Sequence, residues 1–120
     1  MHSIGIDLVE IKRIETSMKN TRFLNRLLGE SEYTQLKKRG FPPRSVAVNF
    51  CAKEAFLKSL GKGLGDINLT EIELLRKENG QPYLKLGKNA LNLVDEGIKF
   101  SVSATHTENY ASVVVLAYKI

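Results

Sequence analysis

Tryptophan is absent from this sequence, cysteine occurs once, and no apolar run approaches the length of a membrane span. A single cysteine, Cys51, closes no internal disulfide, which fits a reducing compartment. The longest apolar stretch, Ala111 to Tyr118, is interrupted by Ser112 and is too short to cross a bilayer. The N-terminal run lacks a basic region, an apolar stretch and a cleavage site, so a cytoplasmic protein is expected. Internal repeats, low-complexity tracts and long linkers are also missing. A single domain over residues 1–120 is therefore expected, large enough for one modest core.

What the chain has in excess is positive charge, and it is unevenly placed. The formal net charge is +5; residues 1–62 hold 12 Lys/Arg against 6 Asp/Glu, and the remainder 6 against 7. A basic face steers acidic partners, and nucleic acid, anionic lipid or an acidic protein would each answer to it. The aromatics form no stacking cluster and no nucleic-acid-binding motif is recognisable, so a nucleic-acid-binding domain is the weaker reading.

Residues Ile4 to Val9 alternate as a strand does, with Ile4, Ile6 and Leu8 on one face and Gly5, Asp7 and Val9 on the other. From Glu10 the spacing of Ile11, Ile14 and Met18 turns helical. Short helices are predicted over Arg22 to Leu28 and from a Ser31 cap to about Lys38, before Gly40-Phe41-Pro42-Pro43 breaks the chain. The principal helix is predicted from Arg44 to Leu60, with Val48, Cys51, Ala52, Ala55, Phe56 and Leu60 on its apolar face. Gly61, Gly63 and Gly65 then end it in a loop whose backbone can come near a ligand. Strands over Glu71 to Leu75 and Tyr83 to Leu86 pair through the Asn79-Gly80 turn. A short helix over Lys88 to Glu96 and strands over Lys99 to Ala104 and Ala111 to Tyr118 complete the chain. Helices and antiparallel strands without a regular βαβ alternation make the class α+β.

Two carboxylates stand out. Asp7 lies in an apolar strand, where aspartate is disfavoured and a buried carboxylate needs a partner. It either caps the next helix or bonds nearby backbone, or it meets a cation or metal. Glu54 lies in the most apolar helix with Lys58 one turn later, the spacing of an ordinary surface pair. It also faces the glycine-rich loop, and Lys53 and Lys62 add positive charge. Carboxylates beside ammonium groups and open amides suit magnesium on a phosphate, because magnesium takes one or two carboxylates plus substrate oxygens. The run Gly61-Lys62-Gly63-Leu64-Gly65 does not match a Walker loop and follows a helix, which excludes nucleotide hydrolysis of that type. His106 reads as a loop histidine or as a phosphate donor and proton shuttle, and Cys51 as core packing.

Four motifs in order carry a family resemblance. They are Gly5-Ile6-Asp7; Phe50-Cys51-Ala52-Lys53-Glu54-Ala55-Phe56 with Lys58; Asn79-Gly80-Gln81-Pro82-Tyr83; and Ser103-Ala104-Thr105-His106-Thr107 with Tyr110-Ala111. Together they resemble the bacterial holo-acyl carrier protein synthases, the short class of 4′-phosphopantetheinyl transferases, over essentially the whole chain. The resemblance implies that family's fold, with antiparallel strands packed on a long central helix. It implies transfer of 4′-phosphopantetheine from coenzyme A to a serine of apo acyl carrier protein, releasing 3′,5′-ADP, in fatty acid biosynthesis. It implies Mg2+ on Asp7 and Glu54, with Lys58 on the coenzyme A phosphates and these three as the catalytic set. The resemblance also implies that Gly61, Gln81, Pro82, His106 and Thr107 join Lys58 in binding coenzyme A, the later ones from a neighbouring subunit of a homotrimer. Arg13, Arg22 and Arg26 would bind the acidic carrier protein. The serine proton has two routes, to Glu54 or to a metal-bound water, of which the water is preferred because a metal-bound glutamate is a weak base. Asn49 stands where many members have arginine, removing one phosphate contact that Lys53, Lys62 or Arg44 would have to replace. A coenzyme-A-binding acyltransferase without metal is the competing enzyme reading.

Overall fold

In the computed structural model, which describes residues 2–62 and 67–120, the chain enters on β1 (His2–Glu10) and turns directly into α1 (Ile11–Ser17). Two short helices follow, α2 (Phe23–Leu27) and α3 (Glu30–Lys37), then the long α4 (Pro43–Ser59). A 3-10 turn at Leu69–Glu71 leads into the hairpin β2 (Ile72–Arg76) and β3 (Pro82–Leu86). One turn of helix, α5 (Lys88–Leu91), precedes the second hairpin, β4 (Ile98–His106) and β5 (Tyr110–Lys119). The strands form an antiparallel sheet of order β1-β5-β4 and a separate antiparallel pair, β2-β3. The class is α+β, as expected, with α4 packed across the larger sheet.

The alternation of β1 decides which face is core, and it is the face with fewer apolar atoms. Gly5, Asp7 and Val9 turn inward, opposite Val115, Val113 and Ala111 of β5. Ile4, Ile6 and Leu8 point to solvent, at 65%, 61% and 64% exposure. Gly5 explains the arrangement: a Cβ there would overlap the Ala55 carbonyl and stand 2.6 Å from the Ser59 nitrogen. Strand and helix backbones touch at this crossing, so no side chain fits. Below it α4 buries Val46, Ala52, Ala55, Phe56 and Leu57, with Phe56 tilted against Phe100 at 5.1 Å between ring centroids.

Local chemistry sets the ends of α4. Pro43 occupies its first turn, where a missing N–H costs nothing. At the other end Gly61 takes φ +70, Lys62 N–H donates to the Leu57 carbonyl and Gly61 N–H to that of Lys58. This paired pattern closes the helix and needs a left-handed residue. Space around the Gly61 α-carbon is open, so glycine is required there by φ and not by crowding. Gly63 and Gly65 lie outside the described residues.

Three expectations change. Helix α3 begins after Gly29, not at a Ser31 cap, because Glu32 folds back to accept from the Gly29 N–H at 3.0 Å. The helix foreseen over Lys88 to Glu96 is one turn followed by loop. Lys53, expected among the phosphate-site charges, is buried on the opposite flank of α4, and its ammonium donates to Glu32 Oε1 at 2.6 Å and to the Leu69 and Ile72 carbonyls. Glu32 in turn accepts from Gly29, Lys53, Asn49 and Leu74, four donors with no place left for a carboxyl proton. Burial pushes the Glu32 carboxyl up and the Lys53 ammonium down, each partly offset by the other.

Candidate active site

The site begins at the β1–α4 crossing. Gly5 lets the two backbones meet, and Asp7, two residues along the same face, lies over the next turn of the helix. Ser112 Oγ donates to the Asp7 carbonyl at 2.8 Å, fixing the strand. Lys58 reaches back from α4 to give hydrogen bonds to Asp7 Oδ1 at 3.2 Å and the Ile6 carbonyl at 3.1 Å. Among the described residues its ion pair is thus with Asp7, not with Glu54 one turn earlier. The helix α1 has no side-chain cap, so Asp7 is not capping it either.

Glu54 shares this pocket of charge. Its carboxyl is raised above the usual range by burial first and by Asp7 second, with Lys58 pulling the other way. Two carboxylates near enough to oppose each other's ionisation, with one lysine between them, leave negative charge unneutralised. Cys51 lies beneath, fully buried, and its thiol is pushed up by burial and by Asp7. It stays a neutral packing group, as its place on the apolar face implied.

The donor set fits a hard divalent ion. Among the described residues no group of three or more His, Cys, Asp or Glu could cage a metal. Two carboxylates would leave most positions to water and to substrate oxygens, the usual coordination of magnesium on a phosphate. Lys58, Gly61 and Lys62 line one cleft of about 540 Å³ at the end of α4, with His2, Ser3 and Asp95; of the cluster, Lys58 reaches it and Asp7 and Glu54 do not line it.

The other expected coenzyme A residues lie elsewhere on the chain. His106 ends β4, on the far edge of the sheet from β1, with β5 between them. It lines a cleft of about 360 Å³ with Gly80, Pro82, Arg76 and Val48, none of which is Asp7, Glu54 or Lys58. Thr107 Oγ1 accepts from Asn109 and Tyr110 N–H in the β4–β5 turn, and Gln81 is exposed in the β2–β3 turn. Arg13, Arg22 and Arg26 are exposed on α1 and α2 or beside them. Asn49 is buried, donating to Glu32 and the Leu74 carbonyl. Arg39 and Arg76 line the clefts beside His106 and were not singled out by sequence. A lone arginine at a strand end carries no local signal.

The family match places the chain among transferases. It belongs to the 4′-phosphopantetheinyl transferase superfamily, whose model matches residues 3–115. The chain is similar to the holo-[acyl-carrier-protein] synthase of Treponema denticola, at 39% identity over 94% of each chain. The synthase of Staphylococcus carnosus is 38% identical over 100% of this chain and 99% of its own. Among solved structures, the holo-[acyl-carrier-protein] synthase of Neisseria meningitidis superposes with a TM-score of 0.86, at 32% identity and 98% of both chains. That of Helicobacter pylori, in complex with coenzyme A, gives 0.82 at 32% identity, covering 96% of this chain and 99% of its own.

Proposed function

We propose that this chain transfers the 4′-phosphopantetheine arm of coenzyme A to a serine of an apo acyl carrier protein, with release of 3′,5′-ADP. The observation that carries the reading is the meeting of Asp7 and Glu54, residues from a strand and a helix far apart in sequence, beside Lys58. In the same reading the protein is cytoplasmic and serves fatty acid biosynthesis.

The reaction is a phosphoryl transfer, which needs positioning and neutralised charge more than covalent help. Asp7 and Glu54 would hold Mg2+, which when bound neutralises diphosphate charge that two carboxylates alone would repel. Lys58 is tethered to β1 by two hydrogen bonds, so its ammonium is held ready to offset charge on the leaving phosphate. Gly61 turns the chain away so that the helix end and Lys62 face the same cleft. A glutamate that holds a divalent ion is a weak base, so the raised carboxyl of Glu54 in the metal-free chain does not make it the preferred proton acceptor.

A homotrimer with sites between subunits belongs to the same proposal. Two features support association. The outer face of β1 exposes Ile4, Ile6 and Leu8 beside Leu116 of β5, an apolar stripe that a second copy would cover. The Asp7–Glu54–Lys58 cluster and the His106–Pro82 cleft sit on opposite edges of the sheet, so a neighbouring copy could bring one edge to the other. Arg13, Arg22 and Arg26 are free to meet the acidic carrier protein.

Mass spectrometry tests the reading directly. Apo carrier protein incubated with this protein, coenzyme A and magnesium should gain one phosphopantetheine, and omission of magnesium should abolish the gain. Unchanged carrier mass under all conditions would refute the transfer, and full activity in chelator would remove the metal from it.

A further inference from the structure

Asp7 stands on an edge strand, since the larger sheet runs β1-β5-β4 and β1 is bonded along one side only. Such a strand opens locally at less cost than an inner one. Three contacts hold its middle. The Gly5 backbone meets that of α4. From the helix side Lys58 donates to the Ile6 carbonyl at 3.1 Å. From the open side of the sheet Ser112 Oγ donates to the next carbonyl, that of Asp7, at 2.8 Å.

This serine is out of keeping with its surroundings. On the open face β5 sets Leu116, Val114 and Ser112 opposite Ile4, Ile6 and Leu8, five apolar side chains and one hydroxyl. A hydroxyl in an apolar stripe opposes burial unless a hydrogen bond satisfies it. Thr105 of β4 stands opposite Ser112 on its other side, exposed and bearing a hydroxyl of its own, yet the serine turns to β1. The two side-chain ties to β1 also differ in kind. That of Lys58 is exposed to solvent, and its ammonium is the group assigned to the leaving phosphate, so its hold on the strand is shared with substrate. The Ser112 bond is partly buried and has no other duty.

We infer that Ser112 is a positioning residue: its hydroxyl holds the peptide from which the Asp7 carboxylate projects, and so raises the affinity of the carboxylate pair for a small divalent ion. The inference rests on the reading above in which Asp7 and Glu54 hold that ion. Aspartate is short, so a shift of its backbone carries the carboxylate with it. Glu54 has one more methylene and projects from a 17-residue helix, which lets it adapt where Asp7 cannot. Magnesium demands a near-octahedral shell, whereas calcium accepts irregular ones. A loosely held Asp7 therefore harms binding of the smaller ion more.

Ser112→Thr and Ser112→Val test this, because the two side chains share shape and strand propensity and differ by the hydroxyl. Each protein is titrated with Mn2+, a paramagnetic stand-in for magnesium, with coenzyme A present and carrier protein omitted, and free Mn2+ is counted by electron paramagnetic resonance. Displacement by Ca2+ then reads the larger ion. Ser112→Val should bind Mn2+ roughly 2- to 10-fold more weakly than wild type, the reach of one neutral hydrogen bond, with a smaller loss for Ca2+. Ser112→Thr should match wild type. Hydrogen exchange of the β1 amides should quicken in Ser112→Val alone. Equal Mn2+ affinity in the two variants would overturn the inference, as would a Ca2+ loss as large as that of Mn2+ or unaltered exchange along β1. Asp7→Asn separates this from the metal reading. If it leaves Mn2+ binding untouched, the carboxylate pair is not the metal site and both ideas fall. If it abolishes binding while Ser112→Thr and Ser112→Val bind alike, the metal reading stands and the role of Ser112 falls alone.

Discussion

Glu54, in the metal-binding role proposed for it, is a side chain held at a cost to stability. Its folded carboxyl binds a proton more tightly than its unfolded one, because burial and Asp7 disfavour the anion. Such a group contributes stability that is fully present below the ordinary carboxylate range and is lost as pH rises through the raised value. At neutral pH and without a divalent ion, Glu54→Gln should therefore raise the thermal midpoint. The group is partly exposed, so the gain should be small, roughly 1–3 °C. The difference should vanish in acid, where wild-type Glu54 is already protonated. The same variant should lose carrier-protein modification. Thermal melts in chelator across pH check the first claim; a lower midpoint at pH 7 would show that Asp7 and Glu54 do not oppose each other.

Among the elements, α4 carries two charged assemblies on different flanks, and neighbouring residues serve each. Glu54 faces β1, while Lys53 turns to α3 and β2 and is locked to Glu32. Lys53→Met would strand a buried carboxylate and should cost about 3–5 kcal/mol in urea unfolding. Adding Glu32→Leu should recover only part of that, because Asn49 and the Gly29 and Leu74 N–H groups lose their acceptor. Full recovery would mean a simple ion pair. At a temperature where Lys53→Met stays folded, KM for coenzyme A should match wild type, since Lys53 does not line the cleft of Lys58, Gly61 and Lys62; a tenfold rise would return it to the proposed site. Sequence spacing resolved the helix and its apolar stripe well. It could not separate Lys53 from Lys58 by role, because Lys53 is charged and fully buried, and only its partner on α3 reveals that.

At the scale of the whole molecule, the larger sheet has one face on α4 and one open. The open face of β1 holds its bulkiest apolar side chains, the reverse of a solvated surface. Ile6→Lys should leave the monomer fold intact, because Ile6 is exposed and none of the described residues covers it, and should prevent association and transfer together. Analytical ultracentrifugation beside the mass assay checks this. A monomeric variant with wild-type transfer would show that one chain completes the site, and an unaltered oligomer would place the interface elsewhere.

Sequence alone determined the α+β class, the strand bearing Asp7, the helix bearing Glu54 and Lys58, and the hairpin turned at Asn79-Gly80. These follow from periodicity and turn chemistry, which act over a few residues and are written locally. Tertiary structure alone decided that Asp7 takes Lys58, that Lys53 takes Glu32, and that the arginines after α3 and at the end of β2 share a cleft. Each of those pairings joins residues from elements distant in the chain. Their partners are set by how α4 lies against its neighbours, and that is fixed partly by a contact with no side chain at all, the glycine at position 5 against the backbone of the helix.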